Sequence, residues 1–390
     1  MLRALWLCSA LLLGGCAARL QAGSAAVDLT PDWPVALGGY GARMGALSKG
    51  VHDPVMAKAL YLEGGGRKVV LVTTDLIGSL RDMRDDVRAQ LPPDVDVIFA
   101  ASHTHSAPSA LVDTKNFILT ATIGRYDPRL RAWMRDRFVD VIRRAIAARG
   151  PATFAIGSAD APEFCRNRRS EHYPKGDAPV DPALGVMRVG GAIVVNYTAH
   201  PTIVGPKSMD VSADWPGALQ RHLEKLGAVA LFTNGAEGDM SPAAPGGEDD
   251  FEKCERLGAA LAERALAVRL TPPRSDVAVR YVEREIELPK PSMPWATKSV
   301  IGVLEIGDAA LVCVPGELTV DLGLELKRRF REMGWRHAWI VGLANDHLFY
   351  ILSEEQYRKG GYERTMSFYG PGFGPWLVEQ IVELGRSRRP

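Results

Sequence analysis

Apolar positions along the chain follow two rhythms. Short, nearly unbroken apolar runs that stop at polar residues, Gly or Pro predict buried strands over residues 68–75, 95–101, 152–156, 186–189, 192–197, 228–232 and 338–343. A pair over 300–306 and 309–314, joined at Gly307-Asp308, predicts a hairpin, and the alternation along 277–288 suits a half-buried strand. The second rhythm is helical. Asp127-Pro128 opens a helix whose stripe is Leu130, Met134, Phe138, Val141, Ile142 and Ala145, with Gly150 just past its end. Further helices are expected over 80–91, capped by Ser79, and over 216–226, 251–268 and 318–333. No internal repeat and no linker demanding a second domain is evident in the pattern.

Strand 68–75, helix 80–91 and strand 95–101 make a βαβ unit, which brings Asp75 and His103 to one carboxyl edge, where open α/β sheets place their ligands. Polar residues gather at the other strand ends too. His103 and His105 follow one run, and in an extended chain residues two apart point the same way, so both imidazoles would face one spot. His200-Pro201 follows a second run, Gly235 to Pro242 forms a tight acidic loop after a third, and Glu317 follows Pro315-Gly316 after a fourth. Asn345, Asp346 and His347 precede Tyr350, Tyr357 and Tyr362. Each feature alone has an ordinary explanation. His-x-His suits a hydrogen-bonded loop, Glu317 the first turn of its helix, and Tyr350 the core. Arg168, between Arg166 and Arg169 in the expected loop 166–170, suits a solvated charge, and Asp75 and Asp239 either orient histidines or accept loop hydrogen bonds.

Composition narrows the partners. With 390 residues, 46% of them hydrophobic, the chain can bury a sizeable core, and its net charge of +1 offers no basic field for nucleic acid. Arg3 and the apolar stretch from Ala4 to Leu13, too short to span a bilayer, read as a signal peptide over residues 1–15. Leu13-Gly14-Gly15-Cys16 resembles the bacterial lipobox, which implies an acylated Cys16, a lipid-anchored protein of the bacterial cell envelope and a tether over 16–35 ahead of a catalytic domain over 36–390. Cys165, Cys254 and Cys313 permit at most one disulfide, and Cys313 reads as a small core residue.

Taken together the strand-end motifs resemble the neutral/alkaline non-lysosomal ceramidases, zinc amidases with an α/β catalytic domain. The stretch His103-Thr104-His105-Ser106-Ala107-Pro108 is similar to that family's His-Thr-His-Ser-Gly-Pro, Asn167-Arg168 to its Asn-Arg, and His200-Pro201-Thr202 to its His-Pro-Thr. Gly238-Asp239-Met240-Ser241-Pro242-Ala243 resembles Gly-Asp-Val-Ser-Pro-Asn, Pro315-Gly316-Glu317 matches Pro-Gly-Glu, and the segment from Tyr350 to Tyr357 resembles the tyrosine-containing stretch before Glu-Glu-Tyr. The resemblance implies an α/β fold of layered mixed β-sheets flanked by α-helices, without the carboxyl-terminal immunoglobulin-like domain. It implies one catalytic Zn²⁺ held by His103, His200, Glu317 and Tyr350, with a position left for water. His105 would move the proton, Arg168 would hold the carbonyl oxygen, Ser241 would hydrogen-bond near the reacting amide or, as the alternative, attack it as nucleophile, and Tyr350 could leave the metal to bond the substrate oxygen. The implied substrate is a ceramide or another N-acyl lipid. The alternatives are a zinc hydrolase of another envelope amide or ester, and a non-catalytic envelope binding lipoprotein. Departures from the pattern are Ala107 for Gly, Ala243 for Asn, and His347 where an aromatic residue is common.

Overall fold

The structure, a computed structural model, describes residues 19–387. The apolar runs become strands of three main sheets. The first orders Val95–Ala101, Arg67–Thr74, Met56–Gly64, Gln21–Asp28 and Gly150–Pro151. The second orders Val229–Asn234, Ala192–Tyr197, Ala183–Val189 and Phe154–Asp160; the third orders His337–Val341, Ala309–Cys313, Lys298–Ile306 and Val279–Glu287.

Within each sheet the chain takes one route. An outer strand lies antiparallel to its neighbour, a tight hairpin leads to the next strand, and a helix crosses over to a parallel partner. The hairpins close across Gly64↔Arg67, Val189↔Ala192 and Ile306↔Ala309, at Gly65-Gly66, Gly190-Gly191 and Gly307-Asp308. Two-residue hairpin loops need positive φ, and Gly65, Gly190 and Gly307 supply +61°, +54° and +60°. The crossover helices are Arg81–Arg88, Asp214–Glu224 and Val320–Glu332, and each unit is completed by a second helix, Pro128–Ala147, Asp250–Leu266 or Phe373–Arg386. The chain therefore repeats its topology three times. The sequence pattern shows no repeat because what recurs is strand order and not residue identity.

One face of every sheet points into a shared core, where Leu62, Val69 and Leu71 meet Met187, Val194 and Leu231 from the second sheet and Leu304, Leu311 and Val341 from the third. Alternate residues point outward onto helices: Val70 and Val72 toward Met83, Val87 and Phe138, Val195 and Phe232 toward Trp215, Leu219 and Leu257, Val303 and Val312 toward Leu326, Phe330 and Leu377. Both faces are apolar, so the strands read as unbroken runs and not as alternation. The carboxyl ends of the parallel pairs come together, tied by an Ala100↔Ala344 bridge, by Phe99 N–H on Asn345 Oδ1 (2.9 Å) and by Asn234 Nδ2 on the Ser102 carbonyl (3.0 Å).

Several local expectations are corrected. Residues 21–35 are part of the domain and not a tether: Gln21–Asp28 pairs along its whole length with residues 56–63, from Gln21↔Glu63 to Asp28↔Met56, and Leu20 and Leu29 are fully buried. Its small residues, which suggested a loose lead, let a helix approach closely, since a Cβ on Gly23 would lie 2.2 Å from the Ala145 carbonyl oxygen. Residues 1–15 and Cys16 lie outside the described residues. The first crossover helix starts at Arg81 with Leu80 as its N-cap, because Ser79 stands one residue too early to reach the first free N–H groups. Arg166 and Asn167 are not loop but part of the short strand Cys165–Asn167, paired with Met240–Pro242. Gly150 begins a strand. Cys313 lies in the shared core as its apolar run predicts, and Cys165, Cys254 and Cys313 are all free and buried.

The shared core predicts a contrast in stability. Leu71→Ala, in the core, should cost ~3 kcal/mol in denaturant unfolding, whereas Leu226→Ala, 59% exposed, should stay within about 0.5 kcal/mol. Equal costs would contradict this placement.

Candidate active site

The strand ends deliver four histidines, a glutamate, a tyrosine and an arginine to one place. His103 follows Val95–Ala101, His200 follows Ala192–Tyr197, and Glu317 follows Ala309–Cys313. Tyr350 is set beside Glu317 by a parallel pairing of Glu317–Leu318 with Tyr350–Ile351. His103 is not extended as the spacing suggested: its φ is +77°, and this left-handed turn is what swings the ring inward. His103 and His105 nevertheless meet, Nε2 to Nε2 at 3.3 Å.

The hydrogen bonds fix which nitrogens carry protons. His103 Nδ1 lies 2.5 Å from the Ile77 carbonyl oxygen, and His200 Nδ1 lies 2.7 Å from that of Glu237. A carbonyl only accepts, so both rings carry a proton on Nδ1 and turn Nε2 to the centre. There they meet an acceptor, Glu317 Oε2, at 3.3 Å from His103 and 3.2 Å from His200. Burial, with the Arg168 charge next, lowers His200 to about 4, so it is neutral at ordinary pH. Burial alone would raise Glu317, but the charge and hydrogen bonds of the histidines override it and hold the carboxyl well below its usual range. Two imidazole Nε2 atoms thus converge on one carboxylate oxygen in a dry site, which calls for a cation between them, either a proton on a ring or a metal ion in its place. His103, His105 and His200 have ligand nitrogens all within 4.8 Å of one another, a group able to hold a metal ion. Imidazole nitrogen with carboxylate oxygen is a donor set suited to Zn²⁺.

Tyr350 Oη is 3.4 Å from His200 Nε2 and accepts from Arg168 Nη2 at 3.0 Å. Burial and then the nearby Glu317 charge push its phenol well above the ordinary value, so without a cation it keeps its proton. Arg168 Nε donates to Glu363 at 2.7 Å and Nη2 to the Gly238 carbonyl at 2.7 Å. Burial works against its charge, but Tyr350 and Glu363 outweigh that and raise it. His105 differs from the other two rings. Its Nδ1 is buried with no hydrogen-bond partner, and burial, followed by the charges of His103 and His200, pulls it well below the usual imidazole range. Gly39 makes room for it, since a Cβ there would fall 2.4 Å from Nδ1.

Ser241 sits on the ribbon beside Arg166, one residue from Met240, whose carbonyl also reaches His200 Nδ1 at 3.1 Å; its hydroxyl has no hydrogen-bond partner among the described residues. Asp75 and Asp239 touch no site histidine. Asp75 accepts from Met56 N–H and Gln220, and Asp239 from Asn167 and Val320 N–H, so both are loop acceptors. Two contributors went unassigned at the level of sequence. Glu363 anchors Arg168, and His347 places Nε2 3.2 Å from Glu317 Oε1. The signal for His347 was its replacement of an aromatic residue in a motif otherwise kept.

His103, His105, Glu317, His347 and Tyr350 line a partly open cavity of about 80 Å³ whose other walls include Leu76, Leu111, Leu119, Ile123, Phe349 and Met366. Polar groups on the wall of an apolar cavity fit a ligand with an apolar body and one polar reacting group.

No family model matches this chain. Among curated proteins it is 27% identical to neutral ceramidase 1 of Arabidopsis thaliana over 156 residues, 36% of this chain and 20% of that protein. It is 30% identical to neutral ceramidase B of Dictyostelium discoideum over 101 residues, 24% of this chain and 14% of that protein. Those matches thus span a fifth or less of the relatives' length. Among solved structures, neutral ceramidase from Pseudomonas aeruginosa superposes with a TM-score of 0.85 at 20% identity, covering 95% of this chain and 74% of that one. A ceramidase complexed with C2 gives 0.84 at 19%, covering 95% and 76%. The layered α/β fold is therefore that of the neutral ceramidase structures over nearly the whole chain.

The tautomers are measurable. Long-range ¹H–¹⁵N spectra of metal-free protein at pH 6 should show His103 and His200 protonated at Nδ1, with the His200 ring neutral. A bare Nδ1 in either ring would contradict the site geometry.

Proposed function

We propose that the chain, which shares the neutral ceramidase fold, belongs to that family and is a zinc-dependent amidohydrolase cleaving the N-acyl amide of a ceramide or related N-acyl lipid. The observation that carries this reading is the convergence of His103, His200 and Glu317 beside an apolar cavity that His103 and Glu317 line. His103, His200, Glu317 and Tyr350 would hold the ion. When bound, Zn²⁺ supplies a Lewis acid that brings the pKa of water to about 7. The chain's own groups do the rest. The cavity wall takes the acyl chain and excludes water. Arg168, kept charged by Tyr350 and Glu363, faces the carbonyl oxygen of the amide together with the Tyr350 hydroxyl, where negative charge grows as the carbon becomes tetrahedral.

His105 is assigned to the proton and not to the metal. Ligating histidines donate their second nitrogen to an anchoring acceptor, as His103 and His200 do, and His105 Nδ1 has none. A neutral ring at the cavity wall with a free lone pair can take a proton at Nε2 and return it to the leaving amine. Ser241, on the ribbon beside His200's carbonyl partner, offers a hydroxyl for the substrate amide. Cys16, acylated after cleavage of residues 1–15, would hold the protein at the bacterial envelope membrane, next to such lipids. Cys16→Ser should then release it to the soluble fraction, and unchanged partitioning would reject the anchor.

The test is hydrolysis of a fluorescent N-acyl sphingosine with and without a chelator, alongside metal analysis. Wild type should carry zinc near one per chain and release fatty acid. His103→Ala should lose both, and His105→Ala should keep the metal while losing rate by about 10²–10⁴-fold. Equal metal loss in the two variants would overturn the division of roles. Zinc without amide cleavage would move the substrate to other envelope amides and esters.

A further inference from the structure

His347 is the site residue that neither the proposed ligand set nor the proposed proton transfer uses. Its Nε2 stands 3.2 Å from Glu317 Oε1, the oxygen that His103 and His200 leave free. The two carboxylate oxygens are thus divided, Oε2 between His103 and His200 and Oε1 toward His347. The ring is held from several sides. It stacks on Phe349 with centroids 5.0 Å apart and planes 28° from parallel, and a Cβ on Gly78 would lie 2.7 Å from its Nδ1. Its backbone N–H donates to Asp346 Oδ1 at 2.8 Å, and its carbonyl accepts from Trp295 Nε1 at 2.9 Å. The segment carrying it has left-handed φ at Leu343, Asn345 and Phe349, +50°, +63° and +59°. Such backbone persists where the surroundings over-determine it, as they do at functional sites.

We infer that His347 is a positioning residue: by donating Nε2–H to Glu317 Oε1 it keeps that carboxylate monodentate through Oε2, so that a coordination position stays open for water. This rests on the metal reading above. A carboxylate whose second oxygen is free can swing to bind an ion through both oxygens, filling the open position, whereas one already engaged by a donor cannot do so without losing that bond. An aromatic residue such as Phe would keep the stack on Phe349 and lose the donor.

The experiment compares wild type, His347→Phe and His347→Gln, each loaded with Co²⁺ in place of zinc. It reads metal affinity by chelator competition, the visible absorption of the cobalt, and kcat on a fluorescent N-acyl sphingosine. His347→Phe should bind metal about 10–100-fold more weakly. Its cobalt band should weaken as the coordination number rises, and its kcat should fall with KM little changed. His347→Gln, whose amide can place a donor near the same point, should restore the spectrum and most of the affinity. A His347→Phe spectrum and affinity equal to wild type would overturn the inference while leaving the metal reading intact. A wild-type protein that binds no cobalt would overturn both.

Discussion

A carboxylate buried among imidazoles whose Nε2 atoms face it is the constraint on which the rest of the site depends. Backbone carbonyls at Ile77 and Glu237 hold a proton on Nδ1 of His103 and His200 and so turn both Nε2 atoms toward Glu317. A carboxylate in a dry site costs several kcal/mol unless a cation, a proton on a ring or a metal ion, lies beside it. The same cation would explain why Tyr350, a phenol held protonated by burial and by Glu317, sits within reach of His200 Nε2. Arg168 bonds to the phenol oxygen and so adds positive charge where Tyr350 would otherwise be left beside anionic neighbours.

The fold serves this constraint through its threefold topology. Each sheet contributes the carboxyl ends of a parallel pair, and because the sheets share one core these ends open on the same place. His103 comes from the first unit, His200 from the second, and Glu317, His347 and Tyr350 from the third. The donors are therefore tied to a packed interior through strands buried on both faces, which limits how far any one can drift from the others.

Much of this was legible in the residues. The apolar runs located the strands, and the polar residues ending them singled out His103, His200 and Glu317, because a parallel strand leads its chain directly into the ligand edge; Tyr350 entered only through the family resemblance. The hairpin at Gly307-Asp308 was legible for the same local reason, whereas its equivalents at Gly65-Gly66 and Gly190-Gly191 passed unread. Other features depend on distant contacts. Gln21–Asp28 looked like a tether because its small residues carry no apolar signal; their meaning lies in a helix more than a hundred residues away. The inward turn of His103 requires a positive φ at a residue that gives no local warning, and the roles of Asp75 and Asp239 hinge on partners at Gln220 and Val320. His347 was visible as a departure, but its bond to Glu317 needs the third dimension.

The central claim is that a cation binds between His103 Nε2, His200 Nε2 and Glu317 Oε2. Anomalous diffraction above and below the zinc edge, from crystals of protein purified without added metal, tests it most directly. The account predicts a single strong peak at that point, within about 2.0–2.2 Å of each of the three atoms. Well-ordered side chains in the arrangement described, with no anomalous density between them, would contradict it.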